Sequence, residues 1–187
     1  MNDANTALRI LLLEDTPTDA ALIEHELRSA GFQFSSLRVE TRGDFARALA
    51  EFMPDIILAD YKLPAFDGFA ALQMARERLP DVPFIFVTGA MGEEVAIESL
   101  RGGATDYVLK DRLSKLTPAV ERALAEAQAR RQRSLAEDAL RERVDELETL
   151  NRLMVGRELK MVELKKENVR LHEELERQRR GDREEAD

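Results

Sequence analysis

Asp55-Ile56-Ile57-Leu58-Ala59-Asp60, followed by Tyr61-Lys62-Leu63-Pro64, is the most informative segment of this chain. Four apolar residues bounded by acids, with Pro64 and Gly68 beyond, predict a short strand buried on both faces and ending in a carboxylate at the sheet edge. In open parallel sheets, ligands collect at the carboxyl ends of the strands, near the point where strand order reverses. Asp60 stands where such a fold does its chemistry.

The flanking sequence repeats the pattern. Leu8 to Leu13 is a second apolar run, ending abruptly in Glu14-Asp15. Thr16-Pro17-Thr18-Asp19 then caps a helix that lasts until Gly31. Phe34 to Val39 is a weaker strand, and Thr41 to Phe52 a helix with Phe45, Ala48, Leu49 and Phe52 on one face, stopped by Met53-Pro54. Phe66 to Leu79 predicts a further helix, closed by Pro80. Pro83 to Thr88 is a buried strand ending in a hydroxyl, with Gly89-Ala90-Met91-Gly92 as a flexible loop behind it. Glu93 to Leu100 is helical, Gly102-Gly103 ends it, and Asp106 to Lys110 is a last strand ending in a cation. Strand and helix alternate five times. The expected fold class is α/β, a doubly wound five-stranded parallel sheet with helices on both faces.

Composition separates two parts. Of 187 residues, 44% are hydrophobic and 35% charged, but nearly all the Phe, Gly and Pro lie before about Leu116, and the remainder is rich in Glu, Arg, Leu and Ala. The net charge of −9 repels nucleic acid and anionic membrane, so neither is expected as a partner. Zero cysteines exclude disulfide and thiolate-metal frameworks and fit a reducing cytoplasm. No run approaches the roughly 18 apolar residues of a membrane span, and the polar, acid-bearing start is unlike a signal peptide. A cytoplasmic location is expected.

Thr117-Pro118 reads as an N-cap and first helical residue, and from there to about Arg180 only Gly156 interrupts. Such a helix would be on the order of 95 Å long at 1.5 Å per residue, more than the small domain could cover. Leu140, Val144, Leu147, Asn151 and Met154 keep coiled-coil spacing, as do Met161, Leu164, Asn168, Leu171 and Leu175. The two runs are out of phase, with the break near Met154 to Arg157, beside Gly156. The expected organisation is a domain over 1–128, a coiled-coil dimerisation and output helix over 129–180, and a disordered tail over 181–187. Leu, Val and Met with an occasional seam Asn favour two strands, hence a parallel homodimer.

The strand ends collect Glu14, Asp15, Asp60, Thr88 and Lys110. Three carboxylates in one site cannot all stay ionised without a cation, because like charges raise each other's pKa. Carboxylate oxygens completed by waters suit Mg²⁺ far better than Zn²⁺. Asp60 would then be a nucleophile toward phosphorus, with the Thr88 hydroxyl and Lys110 ammonium receiving the phosphoryl oxygens.

In these residues, in this order and on these elements, positions 8 to about 128 resemble a bacterial two-component response-regulator receiver domain of the CheY-like type. The resemblance covers Glu14-Asp15, Asp60 with Pro64 and Gly68, Thr88, and Asp106-Tyr107-Val108-Leu109-Lys110. It implies the flavodoxin-like strand order 2-1-3-4-5 and phosphoryl transfer to Asp60 from a histidine kinase or phosphotransfer protein. It implies Mg²⁺ held by Glu14, Asp15, Asp60 and the Lys62 backbone carbonyl, with Thr88 and Tyr107 as a switch pair. The chain departs in carrying Asp111 after Lys110, where the family commonly has proline.

Taken together, a response regulator is expected that signals through a dimeric coiled coil to an unidentified protein, without a DNA-binding or enzymatic output domain. It would be a phospho-acceptor with at most slow self-dephosphorylation. The alternative is a phosphorylation-independent adaptor on the same fold. An aspartyl-nucleophile phosphatase needs a second acid two residues after the nucleophile, where this chain has Lys62. A nucleotide or flavin site would want a glycine-rich cradle where Glu14-Asp15-Thr16-Pro17 stands.

Overall fold

The computed structural model describes residues 7–64, 66–89 and 93–184, without the side chains of 93–96, 153, 155–156, 158–159 and 173–184. The elements in chain order are β1 (Leu8–Leu13), α1 (Pro17–Ser29), β2 (Phe34–Val39), α2 (Arg42–Glu51), β3 (Ile56–Ala59) and α3 (Gly68–Arg78). They continue with β4 (Phe84–Thr88), α4 (Glu93–Arg101), β5 (Asp106–Leu109), a 3₁₀ turn (Lys110–Lys115) and α5 (Leu116–Glu184). All five strands are parallel, in the order β2-β1-β3-β4-β5, the doubly wound arrangement and the 2-1-3-4-5 order expected.

Alternation along the strands builds two cores. Leu11, Leu13, Ile57, Ala59, Phe84 and Phe86 pack with Phe45, Leu49, Ala71 and Leu72 of α2 and α3. Ile10, Leu12, Ile56, Leu58, Ile85 and Val87 face the other way, onto Ile23 and Leu27 of α1 and Leu116, Ala119, Val120 and Ala123 of α5. Successive side chains point to opposite faces of a strand, so a run such as Ile56-Ile57-Leu58-Ala59 must be apolar throughout when both faces are covered. Each fully buried Leu, Ile or Phe contributes about 1.5–3 kcal/mol.

Local chemistry sets the helix ends. Pro17 occupies the first turn of α1, where its missing N–H leaves no bond unmade. The Thr41 hydroxyl accepts from the Asp44 amide at 3.2 Å to cap α2, and Asp67 Oδ1 accepts from the Phe69 amide at 3.2 Å to cap α3. Met53 takes φ +48°, the left-handed conformation that ends many helices and that glycine usually supplies.

Several boundaries differ from the sequence-based expectation. α3 begins at Gly68 rather than Phe66, because Asp67 caps it while forming a bridge with Lys62. Lys110 leaves the strand and opens the 3₁₀ turn, which runs directly into α5 at Leu116. Thr117 is therefore not an N-cap: the turn already supplies the helix entry, and the Thr117 hydroxyl is buried without a hydrogen-bond partner. Pro118 is tolerated there because the first turn has no amide bond to lose. α5 passes through Gly156 without a break and reaches Glu184, beyond the expected start of a tail at 181; a single glycine costs only about 1 kcal/mol relative to alanine in a helix. Ala90, Met91 and Gly92 of the expected loop, the Leu175 side chain and residues 185–187 lie outside the described residues.

By its internal contacts the chain divides into two units, 1–133 and 134–187. The second is helical through Glu184. Its seam residues Leu140, Val144, Leu147, Met154, Met161, Leu164 and Leu171 are all exposed in the single chain, as are Asn151 and Asn168. Among the described residues no helix is long and apolar enough to cross a membrane.

Phe86 is fully buried and meets Phe84 and Tyr61 edge-on, with ring centroids at 5.0 and 5.5 Å. Phe86→Ala is expected to lower the unfolding free energy in urea by about 3–5 kcal/mol. A loss below about 1 kcal/mol would contradict a close-packed core at this position.

Candidate functional site

Parallel pairing brings the acids together. Leu13 lies opposite Ala59, so Glu14 and Asp60 leave the sheet side by side. The backbone fixes both, since the Asp60 amide donates to the Leu13 carbonyl at 2.8 Å and the Glu14 amide to the Val39 carbonyl at 3.0 Å. Carboxylate oxygens of Glu14, Asp15 and Asp60 lie within 4.8 Å of one another. Glu14 and Asp60 are buried.

β5 and its turn deliver the cation. Lys110 Nζ lies 2.7 Å from Glu14 Oε2, 2.7 Å from Asp19 Oδ2 and 2.8 Å from Asp60 Oδ2. The second oxygen of Asp60 accepts from the Lys62 amide at 3.1 Å, and that of Glu14 from the Thr16 amide at 3.2 Å. Burial pushes the Glu14 carboxyl up from its ordinary value, and the Lys110 ammonium only partly offsets this. Burial pulls the Lys110 ammonium down, but its bonds to Asp19, Asp60 and Glu14 outweigh that and hold it above the ordinary lysine value. The pocket thus already seats one cation among hard oxygen donors, and this donor set suits Mg²⁺.

Gly68 closes the site from behind. A Cβ there would stand 2.8 Å from the Asp60 carbonyl oxygen and from the Tyr61 Cα and carbonyl, so only glycine lets α3 begin against the Asp60–Tyr61 backbone. Thr88 ends β4 at the same edge, buried, with Leu109 opposite it, one residue before Lys110. Tyr107 is half-exposed on β5 and lines a surface cleft with Arg112, Pro118 and Arg122.

The fold therefore brings Glu14, Asp15, Asp60, Thr88 and Lys110 to one sheet edge, with the Lys62 amide turned onto Asp60. Two further residues belong here. Asp19, which reads in the sequence as part of a helix cap, binds Lys110. Arg38 Nη1 donates to the carbonyls of Glu14 at 2.8 Å and Asp15 at 3.3 Å. The available signal for Arg38 was its place one residue before the carboxyl end of β2; for Asp19 there was only its position in the first turn after the acidic loop.

The chain is similar to known proteins. Residues 10–121 match the family described as response regulator receiver domain. The chain is 34% identical over 99 residues to the luminescence regulatory protein LuxO of Vibrio campbellii, covering 53% of this chain and 21% of that protein. It is 28% identical over 124 residues to the DNA-binding transcriptional regulator NtrC of Escherichia coli, covering 66% and 26%. It thus spans about a fifth to a quarter of the length of these relatives. Among solved structures, a CheY-like response regulator receiver domain protein from Methanospirillum hungatei superposes with a TM-score of 0.60 at 25% identity, over 67% of this chain and 99% of that one.

The shared ammonium makes the acidic cluster pH-sensitive once it is removed. With its pKa raised, Lys110 stays charged below its ordinary value, and its contribution is lost only as pH rises through the raised one. Lys110→Met leaves Glu14 and Asp60 without this countercharge, and the Glu14 carboxyl, already raised by burial, loses the ammonium that held it down. The destabilisation in urea titrations is expected to be larger at about pH 8 than at about pH 5. Equal destabilisation at both would show that Lys110 does not compensate these acids.

Proposed function

Because the chain belongs to the response regulator receiver domain family, we propose that it accepts a phosphoryl group on Asp60 from a histidine kinase or phosphotransfer protein. The observation that carries this reading is the convergence of Glu14, Asp60 and Lys110 at one sheet edge, with Asp15 beside them. An Asp60 carboxylate oxygen attacks phosphorus on a phosphorylated imidazole. The O–P bond forms as the N–P bond breaks, and the electron pair returns to the imidazole nitrogen. Lys110 and the Thr88 hydroxyl then face the phosphoryl oxygens, and the Lys62 amide keeps the carboxylate oriented.

Glu14, Asp15 and Asp60, with the Lys62 carbonyl, would hold Mg²⁺, which supplies charge neutralisation for the incoming phosphoryl group. The protein acts as a phospho-acceptor with at most slow self-dephosphorylation rather than as a turnover enzyme. Thr88 and Tyr107 form the switch pair, and the heptads of α5 form a parallel cytoplasmic homodimer whose packing reports the state of Asp60 to a partner protein. The exposed seam from Leu140 to Leu171 supports that output, since apolar stripes of this spacing are stable in water only when covered.

Two measurements test the reading. A small-molecule phosphodonor with Mg²⁺ is expected to label the wild type at one phosphate per chain and to leave Asp60→Asn unlabelled; persistent labelling of the variant would reject the acceptor assignment. Light scattering is expected to give a dimer mass, with a scattering profile that changes on phosphorylation. A dimer indifferent to phosphorylation would instead identify a constitutive adaptor.

A further inference from the structure

Lys110 makes three ion pairs, and only two of them are to members of the acidic trio. An ammonium has three N–H donors and no acceptor, and Glu14, Asp60 and Asp19 surround it at 2.7–2.8 Å. Glu14 and Asp60 belong, with Asp15, to the trio whose oxygens lie within 4.8 Å of one another; Asp19 does not. Asp19 stands instead in the first turn of α1, where the helix dipole favours an anion and Pro17 sets the start of the helix. Its side chain is a third exposed, whereas that of Glu14 is almost wholly buried.

A divalent ion entering the trio meets Lys110 as a competitor. It draws on the same two carboxylates, Glu14 and Asp60, that Lys110 pairs with, and it repels the ammonium at short range. The ammonium is pushed away from the ion, and of the three carboxylates that hold it Asp19 is the one outside the trio. Resting on the receiver reading above, we infer that Asp19 is a positioning residue that receives Lys110 when the metal site fills. It keeps the ammonium at the mouth of the site, where the phosphoryl oxygens arrive, instead of releasing it to solvent or leaving it in the metal's place.

The role gives Asp19 a signature that a purely structural side chain would not have. In Asp19→Asn the repelled ammonium loses its one partner carboxylate outside the trio, so Mg²⁺ is expected to bind about threefold to tenfold more weakly by calorimetry, and Asp19→Glu to restore most of the affinity. The direct readout is the rate at which an amine-reactive ester modifies Lys110, followed by peptide mass spectrometry. Without Mg²⁺, the wild type and Asp19→Asn are expected to protect Lys110 similarly, because Glu14 and Asp60 still hold it. At saturating Mg²⁺ the wild type keeps its protection, and Asp19→Asn is expected to react about threefold to tenfold faster. Equal rates at saturating Mg²⁺ would overturn the assignment of Asp19. If Mg²⁺ failed to bind the wild type, the receiver reading of the acidic trio would fall instead, so the two failures are distinguishable. Circular dichroism on each variant checks that the fold is retained.

Discussion

The Lys110 ammonium, held by Glu14, Asp19 and Asp60, joins the ends of β1 and β3, the first turn of α1 and the residue after β5. Without it, the buried Glu14 and Asp60 would face each other at the sheet edge, and an unpaired buried charge costs several kcal/mol. The two sides of the contact respond differently to it. Glu14 is almost wholly buried and its carboxylate shares the Lys110 ammonium with two other acids, so desolvation wins and its carboxyl is raised. Lys110 has three anions, so attraction wins over desolvation and its ammonium is also raised. Burial opposes charge on both partners, and the number of counterions sets the outcome on each.

That contact depends on a sheet whose strands all end at one edge. Parallel pairing aligns Leu13 with Ala59 and Thr88 with Leu109, so the residues that follow emerge together without adjustment from the loops. The two apolar layers then lock the register, because a one-residue slip of β3 would exchange the side chains facing α2 and α3 with those facing α1 and α5. Gly68 adds a constraint from outside the sheet. α3 starts so close to the Asp60–Tyr61 backbone that no Cβ fits, which ties the loop after Asp60 to a helix rather than leaving it to solvent.

Much of this was legible in the sequence because it follows from local pattern. Four-residue and six-residue apolar runs ending in acids or in Thr88 identify strands buried on both faces, and their carboxyl ends identify the site. What the pattern missed depends on contacts between distant residues or on competition between neighbouring elements. Lys110 and Asp19 are 91 positions apart, and nothing in either neighbourhood announces the pair. Arg38 reads as one polar residue on a weak edge strand until β2 is laid beside β1, where its guanidinium reaches the carbonyls of the acidic loop. Thr117-Pro118 carries a good local helix-start signal, yet a 3₁₀ turn had already brought the chain into the helix at Leu116.

The same turn determines how closely the site is joined to the long helix. Residues 110–115, Lys-Asp-Arg-Leu-Ser-Lys, contain no glycine or proline, and only Arg112 departs from helical angles, with φ −132° and ψ 44°. Leu113 packs against the same apolar cluster that buries Leu116, Ala119, Val120 and Ala123. Lys110 and the buried start of α5 are therefore separated by one tight turn that is itself anchored in the core. A packed interior has low compressibility and passes displacement on instead of absorbing it. A shift of the ammonium at the acidic site thus has a short covalent route to the first turns of α5, and Arg112, the one non-helical residue on it, is where that route can bend.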